Sequence, residues 1–157
     1  MYRTPSHLPE ATRRTISDAL NAVLADGLDL HTQIKVAHWN IKGPQFAALH
    51  PLFESFAVGL AAHTDNVAER AVTLGGQAYG TARHVAGTSR IPDYPQDTSK
   101  DSDHVRLLAE RFTAYLATAR SVRDTAEEHE DTDTHDLLTQ IVTEFEKNAW
   151  FLQASLE

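Results

Sequence analysis

Five side chains in the first half of the chain belong to types that bind metal ions: His38, His50, Glu54, Asp65 and Glu69. Imidazole nitrogens with carboxylate oxygens form a borderline-to-hard donor set that suits iron(II), and zinc or manganese also fit it. His50 and Glu54 are four residues apart, as are Asp65 and Glu69, and positions four apart share a helix face. The eleven-residue step from Glu54 to Asp65 is close to three whole turns, so both pairs lie along one stripe. Val58, Ala61 and Ala62, small or modest in size, sit between them on that stripe.

Eleven residues of helix span roughly 16 Å, whereas metal–ligand bonds are only about 2 Å long. One ion therefore cannot be held by both pairs of a single chain. A second copy removes the difficulty. If this helix packs antiparallel on its twofold mate, His50 and Glu54 of one copy meet Asp65 and Glu69 of the other, twice per dimer. Taken singly, each residue reads as part of a solvated face. The whole set at this spacing reads as an intersubunit metal site.

The segments AHWNIKGPQFAALHPLFES, DNVAERAVTLGG and DTDTHDLLTQIVTEFEKNAWFLQASLE carry a resemblance to the Dps family of small ferritins, and the likeness extends over nearly the whole chain. That family orders its ligands as His, a second His twelve on, an acid four on, Asp eleven on and Glu four on. The matching positions are His38, His50, Glu54, Asp65 and Glu69. The third ligand is usually Asp, and Glu54 adds a methylene there. The resemblance implies a ferroxidase: iron(II) oxidised by hydrogen peroxide, less readily by dioxygen, at dinuclear centres between subunits. It further implies iron(III) mineral stored in a hollow dodecamer and protection from oxidative stress, with zinc as a competitor for the site. His38, His50 and Glu54 would come from one chain, and Asp65 and Glu69 from its mate. Trp39, beside His38, would donate an electron or quench a radical, unless it simply packs at the interface.

The elements that must position these residues follow from apolar periodicity. A first helix is expected from Pro9 to about Trp39, with Ile16, Leu20, Val23, Leu24, Leu28 and Ile34 on its core stripe. A second starts near Pro44, a residue tolerated in a first turn, and ends at Gly75 and Gly76, as glycine often ends helices. Its core face is Leu49, Phe53, Phe56, Leu60, Val67, Ala71 and Leu74. Residues 77–101 are too long for a turn between neighbouring helices and suit a crossover with a short helix around Thr81 to Ala86. Ser102 is a plausible N-cap for a third long helix carrying Val105, Leu108, Phe112, Tyr115, Leu116, Ala119 and Val122. The last long helix shows Leu138, Ile141, Val142, Phe145, Ala149 and Leu152. The expected fold is all-α: a ferritin-like four-helix bundle with a long crossover between its second and third long helices. Residues 1–7 read as a short flexible arm, and 8–157 as the bundle domain.

No Glu-x-x-His pair occurs on the last two long helices, and their cores read as purely apolar, which argues against an intrachain di-iron centre. His31 is a possible auxiliary ligand or, more simply, a hydrogen-bonded interior histidine. His63 is read as structural. The run from Glu127 to Asp136 gathers six acidic residues. The resemblance puts it beside a threefold axis, with Glu130, Asp131 and Asp136 as candidates to line a pore through which iron enters. His129 and His135 read as exposed.

The chain has 14 basic and 22 acidic residues, net −8, which argues against a constitutive nucleic-acid surface. The arm holds no lysine, so DNA binding is expected to be weak or absent. The alternative functions are a DNA-compacting protein, or a cage with a zinc-filled or weakened site. With no cysteine, a disulfide or thiolate site is ruled out. The start lacks the apolar core of a signal peptide and no membrane span is evident, so a cytoplasmic homo-oligomer is expected.

Overall fold

The computed structural model describes residues 1–157. It contains five helices: α1 (Glu10–Asn40), α2 (Phe46–Thr73), α3 (Ala82–Thr88), α4 (Asp101–Glu128) and α5 (Thr132–Ala154). The four long ones form the bundle, and α3 lies within the crossover. No helix is long and apolar enough to cross a membrane.

Every residue expected on the four core stripes is buried except Leu28, which is half-buried. Phe112 and Tyr115 of α4 meet Phe145 of α5 edge-on, at 5.1 and 5.2 Å between ring centres. Such edge-to-face contacts add directional attraction to the burial of apolar area.

The ends of the helices show why the chain turns where it does. Gly75 closes α2 with φ of +88°, and the Gly76 N–H reaches back to the Ala71 carbonyl at 3.0 Å, the six-to-one bond of a Schellman cap. Glu130 takes the equivalent left-handed place after α4, with φ of +57°, and the Asp131 N–H bonds to the Ala126 carbonyl at 2.9 Å. Asp131 then caps α5 by accepting the Thr134 N–H.

The crossover spans the bundle. Lys42, at the start of the second arm of the first hairpin, pairs with the stretch just before α4: its N–H bonds to the Ser99 carbonyl and its carbonyl accepts the Asp101 N–H. Thus α2 and α4 begin at the same end. A helix of 28 residues is about 42 Å long, and the connection must cover that length.

Several expectations change. Helix α2 begins at Phe46 rather than Pro44, because residues 43–45 form a turn. Ser102 does not cap α4; Lys100 precedes the helix, and the buried Asp101 carboxylate accepts from the Gln45 and Ser102 N–H groups. The arm is not loose. Tyr2 N–H donates to the Gly75 carbonyl at 2.7 Å, and the Thr4 hydroxyl to the Thr73 carbonyl at 2.5 Å. These bonds, with Arg13 on the Leu74 carbonyl, serve carbonyls that a helix end leaves without partners.

The core of α4 is also not purely apolar. Asp26 of α1, fully buried, accepts from the Thr118 hydroxyl and the Arg90 N–H, each at 2.8 Å, and pairs with the Arg90 guanidinium. Arg111 binds Gln33 and the Asp93 carbonyl. These groups pin the crossover to α1 and α4. Buried charges need such partners.

Candidate metal centre

His38 lies in the last turn of α1 and His50 in the second turn of α2, so the hairpin brings them face to face. Their rings stack with centres 3.8 Å apart. Each Nδ1 lies 2.8 Å from the backbone carbonyl of the other histidine. A carbonyl can only accept, so each Nδ1 carries a proton, and in the neutral tautomer the lone pair is on Nε2. Fixing a metal-binding imidazole through its other nitrogen is a common device for holding the donor in place.

Glu54, one turn after His50, brings Oε2 to 3.5 Å from His38 Nε2. Lys35 binds the same oxygen. That hydrogen bond holds the Glu54 carboxyl below its usual range, with a weaker opposing push from burial. Lys35 is the one residue at this site that the spacing argument missed. Its signal was available: it stands three residues before His38, on the same face of α1.

Asp65 and Glu69 lie at the far end of the same α2 face. Both are exposed, and neither side chain makes a hydrogen bond or ion pair with the rest of its own chain. No three His, Asp or Glu side chains of one chain converge closely enough to hold a metal. The two halves are thus separate within a protomer. Between them the α2 surface is apolar and open, with Val58 62% exposed and Ala61 and Ala62 exposed.

A ferritin-like domain family matches residues 17–157, and a DNA protection during starvation protein from Agrobacterium fabrum is 38% identical over 156 residues, covering 99% of this chain and 96% of that one. The chain belongs to the Dps family. Among solved Dps structures, DpsC from Streptomyces coelicolor has a TM-score of 0.94 at 33% identity, covering 99% of this chain and 91% of that one. The Dps protein of Vibrio cholerae O1, described as a member of a broad superfamily of ferritin-like diiron-carboxylate proteins, has a TM-score of 0.93 at 27% identity, with 100% and 98% covered.

Other candidates in this Dps chain fall out differently. Asp131 is 3% exposed and fully engaged: Arg70 binds Oδ1 at 2.7 Å, and the Thr134 hydroxyl binds Oδ2 at 2.5 Å. It is a helix cap and ion-pair partner within the chain, not a free carboxylate for a pore. Glu130 and Asp136 are exposed beside it. His63 hydrogen-bonds Glu144 at 2.8 Å across α2 and α5. His31 is not the hydrogen-bonded interior histidine that was expected. It is half-buried and has no hydrogen-bond partner in the chain. Burial holds its imidazole below the ordinary range, reinforced by Lys35 and opposed by Glu54.

Trp39 projects outward, 67% exposed, with the Lys35 ammonium 5.8 Å from its ring centre.

Proposed function

We propose that this protein oxidises iron(II) at paired centres built between two antiparallel copies of α2, and stores the iron(III) product inside a closed homo-oligomer, a dodecamer in the Dps pattern. One observation carries the reading: two stacked imidazoles held through Nδ1, with His38 Nε2 beside Glu54, form a site with too few donors in one chain, while two unpaired carboxylates wait at the other end of the same face. His38, His50 and Glu54 from one chain and Asp65 and Glu69 from the other make two nitrogen and three carboxylate donors per centre, a set that fits iron(II). Zinc competes for the same donors.

Iron is the substrate here. Two iron(II) ions together supply the two electrons that cleave the O–O bond of hydrogen peroxide, and with two protons the products are two waters and two iron(III) ions. Holding the ions as a pair keeps one-electron cleavage, and with it hydroxyl radical, from dominating. Peroxide is accordingly the proposed oxidant, ahead of dioxygen. Trp39, free on the protomer surface, packs against the neighbouring copy in this reading, and from there its indole can supply an electron. Glu130 and Asp136 remain the carboxylates offered to a threefold pore, where three copies would concentrate a cation-attracting field. A cytoplasmic setting suits this chemistry.

Coexpression of two inactive variants tests the shared centre. His50→Ala and Asp65→Asn homo-oligomers should each fail to accelerate iron(II) oxidation in stopped-flow absorbance. Mixed oligomers regain intact centres, up to about a quarter of the wild-type number by random pairing of subunits in isologous dimers. No recovery in the mixture, with assembly confirmed by sedimentation, would reject the reading.

The relatives named for DNA protection raise a second reading, direct coating of DNA. Net charge −8 and an arm strapped onto α2 support protection through iron chemistry instead, since counterion release needs several clustered cations. A gel shift retained at moderate salt would overturn that preference.

A further inference from the structure

His31 precedes Lys35 by four residues and His38 by seven, on one face of α1. The α1–α2 hairpin sets its level. His38 meets His50, Lys35 meets Glu54, and Gly27 packs so tightly on Thr64 that a Cβ there would lie 2.5 Å from the threonine methyl. His31 therefore stands opposite the stretch from Val58 to Ala61, the middle of the α2 stripe. There it lines a groove of about 380 Å³ with Ala61, Thr64 and Asp65.

His38, His50, His63 and His104 each have a hydrogen-bond partner within the chain, whereas the His31 ring, like that of half-buried His129, has none. The His31 ring nitrogens remain open to solvent, so they are accessible to a ligand in the groove. Asp65, on the same groove, is also without a partner. A free nitrogen and a free carboxylate thus share one opening on one protomer, at the carboxylate-donating end of the candidate centre. When α2 pairs antiparallel with its copy so that Glu54 of one meets Asp65 of the other, Val58 faces Ala61 and both His31 side chains flank the twofold axis.

We propose that His31 is a further metal-binding residue, which together with Asp65 takes a divalent first-row transition ion such as iron(II) at the edge of each intersubunit centre. The inference rests on the proposed shared centre and deepens it. The chemical reason is selectivity. Asp65 and Glu69 alone offer only carboxylate oxygens, which suit magnesium and calcium as well as iron. An imidazole on the same chain biases that half of the site toward transition metals.

Cobalt(II), stable to oxidation and with visible bands that respond to nitrogen donors, is the probe. Wild type, His31→Gln, His31→Ala and His50→Ala are titrated after sedimentation has confirmed assembly. Loss of the His31 imidazole is expected to weaken cobalt binding about tenfold, to shift the visible bands, and to leave magnesium binding unchanged. If His50→Ala loses cobalt while both His31 variants keep wild-type affinity and spectrum, the proposal falls and the shared centre stands. If His50→Ala also binds normally, the shared centre itself is wrong and the proposal goes with it. Should the His31 variants fail to assemble, a cobalt-loaded wild-type crystal decides by anomalous scattering. A His31 nitrogen at about 2.1 Å from the metal supports the assignment, and one beyond bonding reach overturns it.

Discussion

Two reciprocal hydrogen bonds set the chemistry of the histidine pair. Either ring, freed from the opposite carbonyl, would rotate and tautomerise. Held as they are, both leave Nε2 unengaged by a backbone carbonyl, and that of His38 lies beside Glu54. The spacing of His38 and His50 pointed to a metal, but the identity of the nitrogen that faces it depends on carbonyls brought close by the hairpin. Lys35 is the second residue-scale decision. Its ammonium occupies the Glu54 oxygen that a cation bound at the proposed centre would need. A longer carboxylate than the family's usual Asp is also a longer reach toward Lys35. Lys35→Met removes both the competitor and a repelling charge. Zinc binding measured by calorimetry should tighten by up to about fivefold, the scale of an exposed ion pair, and the Glu54 carboxyl should titrate at higher pH. Unchanged or weaker zinc binding would mean that Lys35 does not compete.

At the scale of elements, the acidic run from Glu127 to Asp136 divides by geometry into structural and available carboxylates. Asp131 closes the α4–α5 turn, caps α5 and neutralises Arg70 of α2. Asp131→Ala strands a largely buried guanidinium and removes a cap. Urea denaturation should therefore show a loss of about 3 kcal/mol, far more than for Asp136→Ala on the exposed face. Equal, small losses for the two variants would contradict the assignment. The crossover has its own polar anchor. His104 is fully buried, and its Nδ1 hydrogen-bonds the Tyr94 hydroxyl at 2.6 Å. Burial holds its pKa below the 6.5 of an exposed histidine. The unfolded chain therefore takes up this proton at higher pH than the folded chain does. Stability is complete above about pH 6.5 and declines as pH falls toward the lowered native value. His31 adds a contribution of the same sign. Melting temperatures recorded from about pH 7.5 to 5.5 should fall less steeply in His104→Phe than in wild type. Parallel slopes would show that His104 is protonated equally in both states.

For the molecule as a whole, the open α2 face is the feature that would tie the proposed site to the pairing of copies. Val58 is 62% exposed and carries no donor atom of its own. A buried, unpaired charge at an apolar interface is strongly disfavoured. Val58→Arg should accordingly keep the helical spectrum of the protomer, sediment as a smaller species, and lose cobalt binding although every donor remains. A variant that stays assembled and binds metal would separate the centre from this face.

The α-helical periodicity, the long crossover and the alignment of both proposed ligand pairs on one stripe were legible because each depends on spacing within a single segment. Apolar residues three and four apart face inward whatever else the chain does, and the core stripes on all four long helices follow. What spacing could not convey is the partner of each polar group. Asp131 and Asp136 look alike in a row of acids, yet one meets Arg70 from 61 residues away and the other meets solvent. The arm looked free because nothing in seven residues reveals that the carbonyls at the end of α2 are within reach. His31 looked like an ordinary interior histidine until the hairpin left it beside Asp65 with no partner. Periodicity is a local property of the backbone, whereas the satisfaction of a charge or a lone pair is settled by whichever distant group folding brings within about 3 Å.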